Sequence, residues 1–259
     1  GSGFRIVFYI QISLSAILFF TLPVWKKCAK KSANFENNLD RISENGAIEQ
    51  TEQKKVSTAS VFRIKGIFLV FIAFFAYCAM EQTAGLWATS YLVNYKGIEA
   101  TVAAKFASFF YIGITLGRGI SGFFAEKLGD KRLIRFGTII ILIGILLVAI
   151  PTSASAPSLV GLIVIGLGCA PIYPAIIHST PDNFGKENSQ AVIGVQMAFA
   201  YIGITAMPPL FGLIAEKINI GLYSAYLLVF ALLMLVMCEV LNAKMKRKYF
   251  VKCDAYVRE

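Results

Sequence analysis

The chain is poor in the residues from which most catalytic sites are built. It has one histidine, two tryptophans and five cysteines in 259 residues. No spacing of these residues is typical of a metal site, and no cysteine falls in a segment that we expect to face an oxidising exterior. The lone histidine does not complete a nucleophile–base pair. We therefore expect no disulfide framework, no cofactor and no enzyme.

Charged residues are also scarce. They make up 15% of the chain, whereas 57% of it is hydrophobic and the mean hydropathy is +0.67. A membrane-spanning helix needs about 20 apolar residues. The sequence therefore predicts an all-α integral membrane protein with seven transmembrane helices: Phe4–Trp25, Ile67–Val93, Val102–Phe124, Leu133–Ile150, Ser158–Ile177, Gln190–Ile214 and Leu222–Ala243.

The net charge of +10 is unevenly distributed along these spans. If the first span runs inward, 21 of the 25 Lys and Arg residues lie inside and only Arg5, Lys96, Lys105 and Lys217 lie outside. This bias follows the positive-inside rule and predicts a multi-pass protein of the cell membrane with a cytosolic C-terminus. The basic residues 244–248 are expected to contact anionic lipid headgroups. We expect no nucleic-acid partner.

A repeat connects two parts of the chain at an offset of 90 residues. Residues 111–129, YIGITLGRGISGFFAEKLG, and residues 201–219, YIGITAMPPLFGLIAEKIN, share nine of nineteen positions. Three predicted spans separate the two windows, so their Glu-Lys pairs should lie on opposite sides of the membrane. Such inverted repeats are typical of secondary transporters. The repeat thus predicts two triplets of helices that are related by a twofold axis in the membrane plane.

Composition predicts four regions. Residues 1–26 contain a first span that belongs to neither triplet, and residues 27–62 form a polar, cytosolic linker. Residues 63–248 form a six-helix bundle, and residues 249–259 form a cytosolic tail. The third span of each triplet is almost uniformly aliphatic, so we expect it at the periphery facing lipid.

Glu81 is the best candidate for a functional residue. It occupies the fifteenth position of its predicted span, close to the bilayer midplane, where an ionised carboxylate costs roughly 2.5 kcal/mol or more. It is therefore either a proton-coupling or solute-binding acid, or an acid that braces the bundle. The other candidates for binding substrate or protons are polar or aromatic residues within spans: Gln82, Trp87, Tyr111, Tyr173, Gln196 and Tyr201. Trp87 equally suits an interfacial belt, whereas Arg118, His178 and Glu239 suit the cytosolic interface.

The segment Gly122-Phe-Phe-Ala-Glu-Lys-Leu-Gly-Asp-Lys-Arg132 resembles the cytosolic signature loop of the major facilitator superfamily. Glu126 stands where the family has Asp, and Asp130 stands where a basic residue is usual. The resemblance implies a gating motif whose charged residues exchange partners as the cytosolic side opens. Its residues here are Gly122, Glu126, Lys127, Gly129, Asp130, Lys131 and Arg132.

A narrower resemblance covers residues 81–216. The segments EQTAGLWATSYLV, APIYPAIIHSTPDNFG and IGVQMAFAYIGITAMPPLFGLIAE are similar to the fucose-permease-like sugar–proton symporters. The resemblance implies that the last six spans are a 3+3 inverted-repeat half, and that Phe4–Trp25 is the last helix of an N-terminal bundle. The expected partners are then a small solute, protons, lipid and the N-terminal helices.

Two other functions fit parts of the pattern. A drug–proton antiporter of the same superfamily would use a similar acid in a more apolar cavity. A heptahelical receptor would share the number of spans and their orientation, but the sequence has no Asp-Arg-Tyr in its third span and no Asn-Pro-x-x-Tyr in its seventh. Transport of a small solute by alternating access, driven by protons, is therefore the main hypothesis.

Overall fold

The computed structural model describes residues 58–151 and 155–258, and these residues form helices joined by short connections. The helices are α1 Thr58–Val61, α2 Ile67–Asn94, α3 Ala100–Leu128, α4 Asp130–Ala149, α5 Ala156–Cys169, α6 Ile172–His178, α7 Thr180–Phe184, α8 Lys186–Ile214 and α9 Tyr223–Arg258. The described residues thus confirm an all-α architecture. The predicted span Phe4–Trp25 and most of the predicted linker, residues 27–57, lie outside the described residues.

Helix α2 is the central element of the bundle. It packs against α3, α8 and α9, and most of its side chains are buried. Its contacts are rich in aromatic rings, among them Phe71 stacked on Phe199 of α8 at 5.1 Å between ring centroids. Helix α5 lies between α3 and α4 and contacts both closely. The core therefore follows the axes of α2 and α5.

Glycines bring α4 and α5 into close backbone contact. A Cβ at Gly137 would lie 2.6 Å from the carbonyl oxygen of Gly168, and a Cβ at Gly144 would lie 2.8 Å from that of Gly161. Real side chains do not tolerate such distances. Close helix approach through small residues is a main source of packing energy where lipid removes the hydrophobic drive between helices.

Proline interrupts the predicted span Ser158–Ile177. Helix α5 ends at Cys169, Pro171 precedes α6, and α6 begins at Ile172. Proline has no backbone N–H and cannot continue the ladder of hydrogen bonds. The interruption thus falls at Pro171, and Pro174 follows it within α6. In contrast, α8 continues through Pro208 and Pro209.

Five segments of the described residues are long and apolar enough to cross a membrane: Ile67–Asn94, Ala100–Phe123, Asp130–Ala149, Ala156–Phe184 and Lys186–Lys246. The last segment contains α8 and α9. They are connected by a π-helical turn at Ala215–Asn219 and a 3-10 turn at Ile220–Leu222. A contact between the two helices shows that the chain reverses there: the Tyr226 hydroxyl donates a hydrogen bond to the Met207 carbonyl at 2.9 Å. A straight helix would separate these residues by about 28 Å.

Helices α4 and α9 expose aliphatic and aromatic side chains. The exposed residues are Phe136, Ile139, Ile143 and Leu146 on α4, and Val229, Leu232, Val236 and Val240 on α9. Such faces suit lipid tails, in agreement with the peripheral positions that their composition predicts. Helix α9 continues to Arg258 and thus includes most of the predicted tail, residues 249–259.

Candidate functional site

Glu81 lies in the middle of α2 and is partly buried. Its carboxyl group lies beside the Tyr77 hydroxyl, one turn earlier on the same helix, and within electrostatic range of Arg118 on α3. Tyr111 of α3 and Tyr173 of α6 also lie within electrostatic range of the Glu81 carboxyl group. We call these five residues the Glu81 cluster. Three separate helices thus converge on one acid.

The break between α5 and α6 supplies part of the cluster. The Tyr77 hydroxyl donates a hydrogen bond of 3.0 Å to the carbonyl of Cys169, the last residue of α5. Tyr173, just beyond the break, donates to the Met197 sulfur at 3.3 Å, and its ring lies 5.0 Å from that of Phe74. The interruption of the helix therefore brings two tyrosines and a backbone carbonyl towards Glu81.

Helices α3 and α8 each expose a polar stripe, and the two stripes carry the same residues of the repeat. Tyr111 is 53% exposed and Tyr201 is 65% exposed. One turn later, Thr115 donates a hydrogen bond to the Tyr111 carbonyl at 2.9 Å, and Thr205 donates to the Tyr201 carbonyl at 2.6 Å. Tyr201 also lies within electrostatic range of Tyr173. Tyr111 and Tyr173 are thus near Glu81, and Tyr201 is near Tyr173.

Gln196 lies away from the exposed stripes and is fully buried. Its side-chain oxygen accepts a hydrogen bond of 3.0 Å from the Thr180 hydroxyl at the start of α7. Its Nε2 has no hydrogen-bond partner within the described part of the chain. This contact holds α8 against the short helix α7.

Trp87 is engaged in helix packing. Its Nε1 donates a hydrogen bond of 3.0 Å to the Pro208 carbonyl, and its ring meets Phe211 edge-on at 5.5 Å. Both partners belong to α8. Gln82 is partly buried beside Glu81 on α2. The structure thus separates Trp87, which contacts a neighbouring helix, from the tyrosines around Glu81.

The predicted gating motif occupies the turn from α3 to α4. Gly129 alone connects the two helices, and its φ of 73° favours glycine. Asp130 begins α4, and its Oδ2 lies 2.8 Å from Nδ1 of His178 at the end of α6. The other motif residues whose side chains are described lie exposed or without close neighbours at this end of the bundle: Gly122, Lys127, Lys131 and Arg132. The side chain of Glu126 lies outside the described part.

A second ionic contact joins α4 to α9 near the same end. Nε of Arg135 lies 2.5 Å from one oxygen of Glu239, and its NH2 nitrogen lies 2.7 Å from the other. Planar guanidinium and carboxylate groups match each other in such paired contacts. Glu239 and Arg135 therefore brace two helices.

Two members of the cluster are not among the predicted binding residues: Tyr77, and Arg118, which we expected only at the cytosolic interface. Tyr77 precedes Glu81 by four residues, and Arg118 follows Tyr111 by seven, so each shares a helix face with a predicted residue. Helical periodicity was therefore the signal that could have found them. The contact between Asp130 and His178 had no comparable signal, because it joins residues from different spans.

A bundle of long apolar helices with an acid and polar tyrosines at mid-span is the architecture of a multi-pass membrane protein. Residues 1–159 and 70–244 each match the sequence pattern of the Major Facilitator Superfamily. The chain belongs to this superfamily, and the resemblance seen in the signature loop is confirmed.

Relatives show how much of such a protein the chain represents. It is 25% identical over 202 residues to Bypass of stop codon protein 6 of Saccharomyces cerevisiae. This alignment covers 74% of the chain and 40% of the yeast protein. The chain thus spans about two-fifths of the length of this curated relative.

Solved structures share the fold. The E. coli fucose:proton symporter FucP matches with a TM-score of 0.63 and 15% identity over 74% of the chain and 47% of FucP. The peptide transporter POT in complex with sulfate matches with a TM-score of 0.61 and 21% identity, over 77% of the chain and 42% of POT. The fucose permease is therefore among the proteins with a similar fold.

Proposed function

We propose that the chain is the C-terminal part of a secondary transporter that moves a small solute, in the first place a sugar, across the cell membrane together with protons. The observation that carries the proposal is the Glu81 cluster. An acid in the middle of a membrane-spanning helix is costly unless it is protonated, paired or hydrated. Here it is surrounded by hydroxyl groups and one guanidinium. That environment suits reversible protonation beside a polar solute.

The tyrosines supply the chemistry of solute binding. Sugars present hydroxyl groups and apolar ring faces, and a tyrosine offers both a hydrogen-bonding hydroxyl and an aromatic face. The rings of Tyr111 and Tyr201 are largely uncovered by the described residues. We propose that both rings, with Tyr173, face the central cavity. Gln82 and Gln196 would hold the helices that carry these residues in position, Gln82 on α2 and Gln196 on α8.

We further propose that the chain has seven membrane spans and that the last six form a 3+3 inverted repeat. The packing partners support this. In the first triplet α2 packs on α8, and in the second triplet α5 packs on α3. The outer helices α4 and α9 pack on α5 and α2 respectively. Exchanging the two triplets leaves these relations unchanged.

Two repeat-related glycines give the same support in finer detail. A Cβ at Gly113 would collide with the Ile163 carbonyl oxygen, and one at Gly203 would lie 2.7 Å from the Phe75 carbonyl oxygen. Gly113 and Gly203 are 90 residues apart, whereas Ile163 and Phe75 are 88 apart. Each copy of the repeat therefore approaches the first helix of the opposite triplet through an equivalent glycine.

The end of the bundle with Gly129 is proposed to be cytosolic, as the positive-inside rule suggests. There the contact between Asp130 and His178 connects the gating motif to α6, the second part of the broken span. We propose that this contact belongs to the closed form of the cytosolic gate. Residues 1–26 would then end an N-terminal bundle, and residues 27–62 would link the two bundles.

The proposal is tested with the intact protein in sealed vesicles, with labelled fucose or galactose as probe and an imposed proton gradient. Glu81→Gln keeps the size and hydrogen bonding of the side chain but removes its proton. We expect this variant to lose proton-driven accumulation while it still exchanges solute across the membrane. If Glu81 only binds solute, accumulation and exchange should weaken together.

Glu239→Gln is the matched control, because Glu239 also lies within an apolar helix but pairs with Arg135 on the surface. It should accumulate solute like the wild type. Wild-type accumulation with an unchanged pH profile in Glu81→Gln contradicts the proposal. Accumulation driven by the opposite gradient would instead favour the drug–proton antiporter.

A further inference from the structure

Arg118 is the cation of the Glu81 cluster, and it has no ionic partner among the side chains that the structure describes. The ion pairs of these residues are Arg135 with Glu239 and His178 with Asp130. Glu81 lies within electrostatic range of Arg118 but not within ion-pairing distance. A guanidinium and a carboxylate thus face the same region without direct contact.

Arg118 lies inside the apolar part of α3. It precedes the end of the membrane-spanning segment Ala100–Phe123 by five residues, or about 8 Å along the helix axis. A charged side chain in a membrane span faces a cavity, pairs with another group or extends to the interface. Arg118 is exposed and follows Tyr111 and Thr115 along one helix face. It therefore lies on the stripe that we propose to line the cavity.

The repeat shows that this charge belongs to one side of the site. Tyr111 and Thr115 have the counterparts Tyr201 and Thr205, but the counterpart of Arg118 is Pro208. The two stripes thus offer similar hydroxyl groups, whereas only α3 adds a positive charge. A solute bound between them would meet that charge at one end.

We infer that Arg118 determines specificity by binding an anionic oxygen group, a carboxylate in the first place, on the transported solute. The inference rests on the proposed function and names the class of solute. A guanidinium presents paired N–H groups whose geometry matches the two oxygens of a carboxylate, and it binds phosphate oxygens in the same way. The hydroxyl groups of Tyr111 and Tyr173 are placed to bind the remainder of the solute.

The test uses solutes that differ in one group. Galactose, galacturonate and galactose 6-phosphate share a sugar ring, and lactate carries a carboxylate without a ring. Each is added to the purified intact protein without a pH gradient, and the shift of the thermal unfolding midpoint is measured as a function of concentration. We expect at least one anion to stabilise the protein at lower concentration than galactose. Galacturonate and galactose 6-phosphate distinguish a carboxylate from a phosphate.

Variants of Arg118 connect this preference to the residue. Arg118→Gln should weaken the anion by about 10- to 100-fold, the size of a lost charged hydrogen bond, and leave galactose unchanged. Arg118→Lys keeps the charge without the planar fork and should fall between the two. Arg135→Gln removes a guanidinium outside the cluster and should keep the wild-type preference.

Three results would overturn the inference. The first is that galactose binds the wild type as tightly as the anions do, and the second is that no anion stabilises the wild type. The third is that Arg118→Gln keeps the preference for the anion over galactose. The first two need no variant, so poor folding of Arg118→Gln does not hide them. Binding is measured without a proton gradient. Failure of proton-driven transport would therefore leave this result standing, and the reverse also holds.

Discussion

At the scale of single residues, hydrogen bonds divide the aromatic side chains into two groups. Tyr77, Tyr91, Tyr223 and Trp87 each donate to a backbone carbonyl of another helix. Tyr111 and Tyr201 are largely exposed on the polar stripes. The first group holds helices together, and the second group contains the tyrosines that we propose to contact solute.

Trp87 provides a test of this division. Trp87→Phe removes the hydrogen bond to the Pro208 carbonyl but keeps an aromatic ring against Phe211, so we expect a loss of about 1 kcal/mol of stability. Solute affinity should stay within about twofold of the wild type, because the ring contacts α8. Thermal unfolding measures the loss of stability, and binding of labelled fucose or galactose measures the affinity for solute. A large loss of affinity at unchanged stability would return Trp87 to the binding site.

Glu99 provides a test of pH dependence outside the spans. Its carboxylate caps α3 and accepts hydrogen bonds from the backbone N–H groups of Thr101 at 3.1 Å and Val102 at 3.3 Å, and from the Thr101 hydroxyl. The bonds from Thr101, followed by the weaker one from Val102, lower the pKa of Glu99. Because the native pKa lies below the unfolded value, the cap stabilises the protein above the usual glutamate pKa of about 4.3.

This stabilisation should be lost as the pH falls through the lower native pKa. Glu99→Gln can accept hydrogen bonds but carries no charge at any pH. We expect the wild type to unfold at a higher temperature than Glu99→Gln above about pH 5, and the difference to shrink below about pH 4.3. A difference that stays constant from pH 7 to pH 3 would show that charge has no part in the cap.

At the scale of helices, glycine-to-alanine variants test the packing of α3 and α8, because each helix has one crowded and one open glycine. Gly113→Ala and Gly203→Ala should each destabilise the bundle by about 1–3 kcal/mol, because the new methyl groups meet backbone carbonyls. Gly119 and Gly194 have open space instead, so alanine there should be neutral or stabilise by about 0.5–1 kcal/mol. Thermal unfolding of the four variants provides the comparison. Equal losses at all four positions would contradict it.

Hydropathy predicts the positions of these helices well. One predicted span begins at Ile67, where α2 begins, and another ends at Ile214, where α8 ends. The break after Cys169 lies inside the predicted span Ser158–Ile177, which hydropathy alone does not divide. The continuation of α9 to Arg258 was not predicted, because its polar last turns have no apolar signal. Contacts between helices were also missed, since periodicity does not fix how one helix is rotated against its neighbour. The contact of Trp87 with α8 and the position of Arg118 near Glu81 are of this kind.

At the scale of the whole molecule, the described residues form one bundle, whereas the alternating access that we propose needs two bundles that move about a shared site. We expect vesicles that contain only residues 1–259 to show no concentrative solute uptake under a proton gradient. Vesicles with the intact protein are the positive control. Uptake by the chain alone would contradict the prediction, unless crosslinking shows that two copies have assembled into a carrier.

The exposed stripes on α3 and α8 also bear on how a cell would treat this bundle. Tyr111, Thr115 and Arg118 present hydroxyl groups and a charge that hydrocarbon tails do not solvate. A bundle that entered the bilayer without a cover for this surface would resemble an orphaned subunit. The side chains that we propose to contact solute would therefore destabilise an unassembled bundle in the bilayer until water or a partner surface covered them.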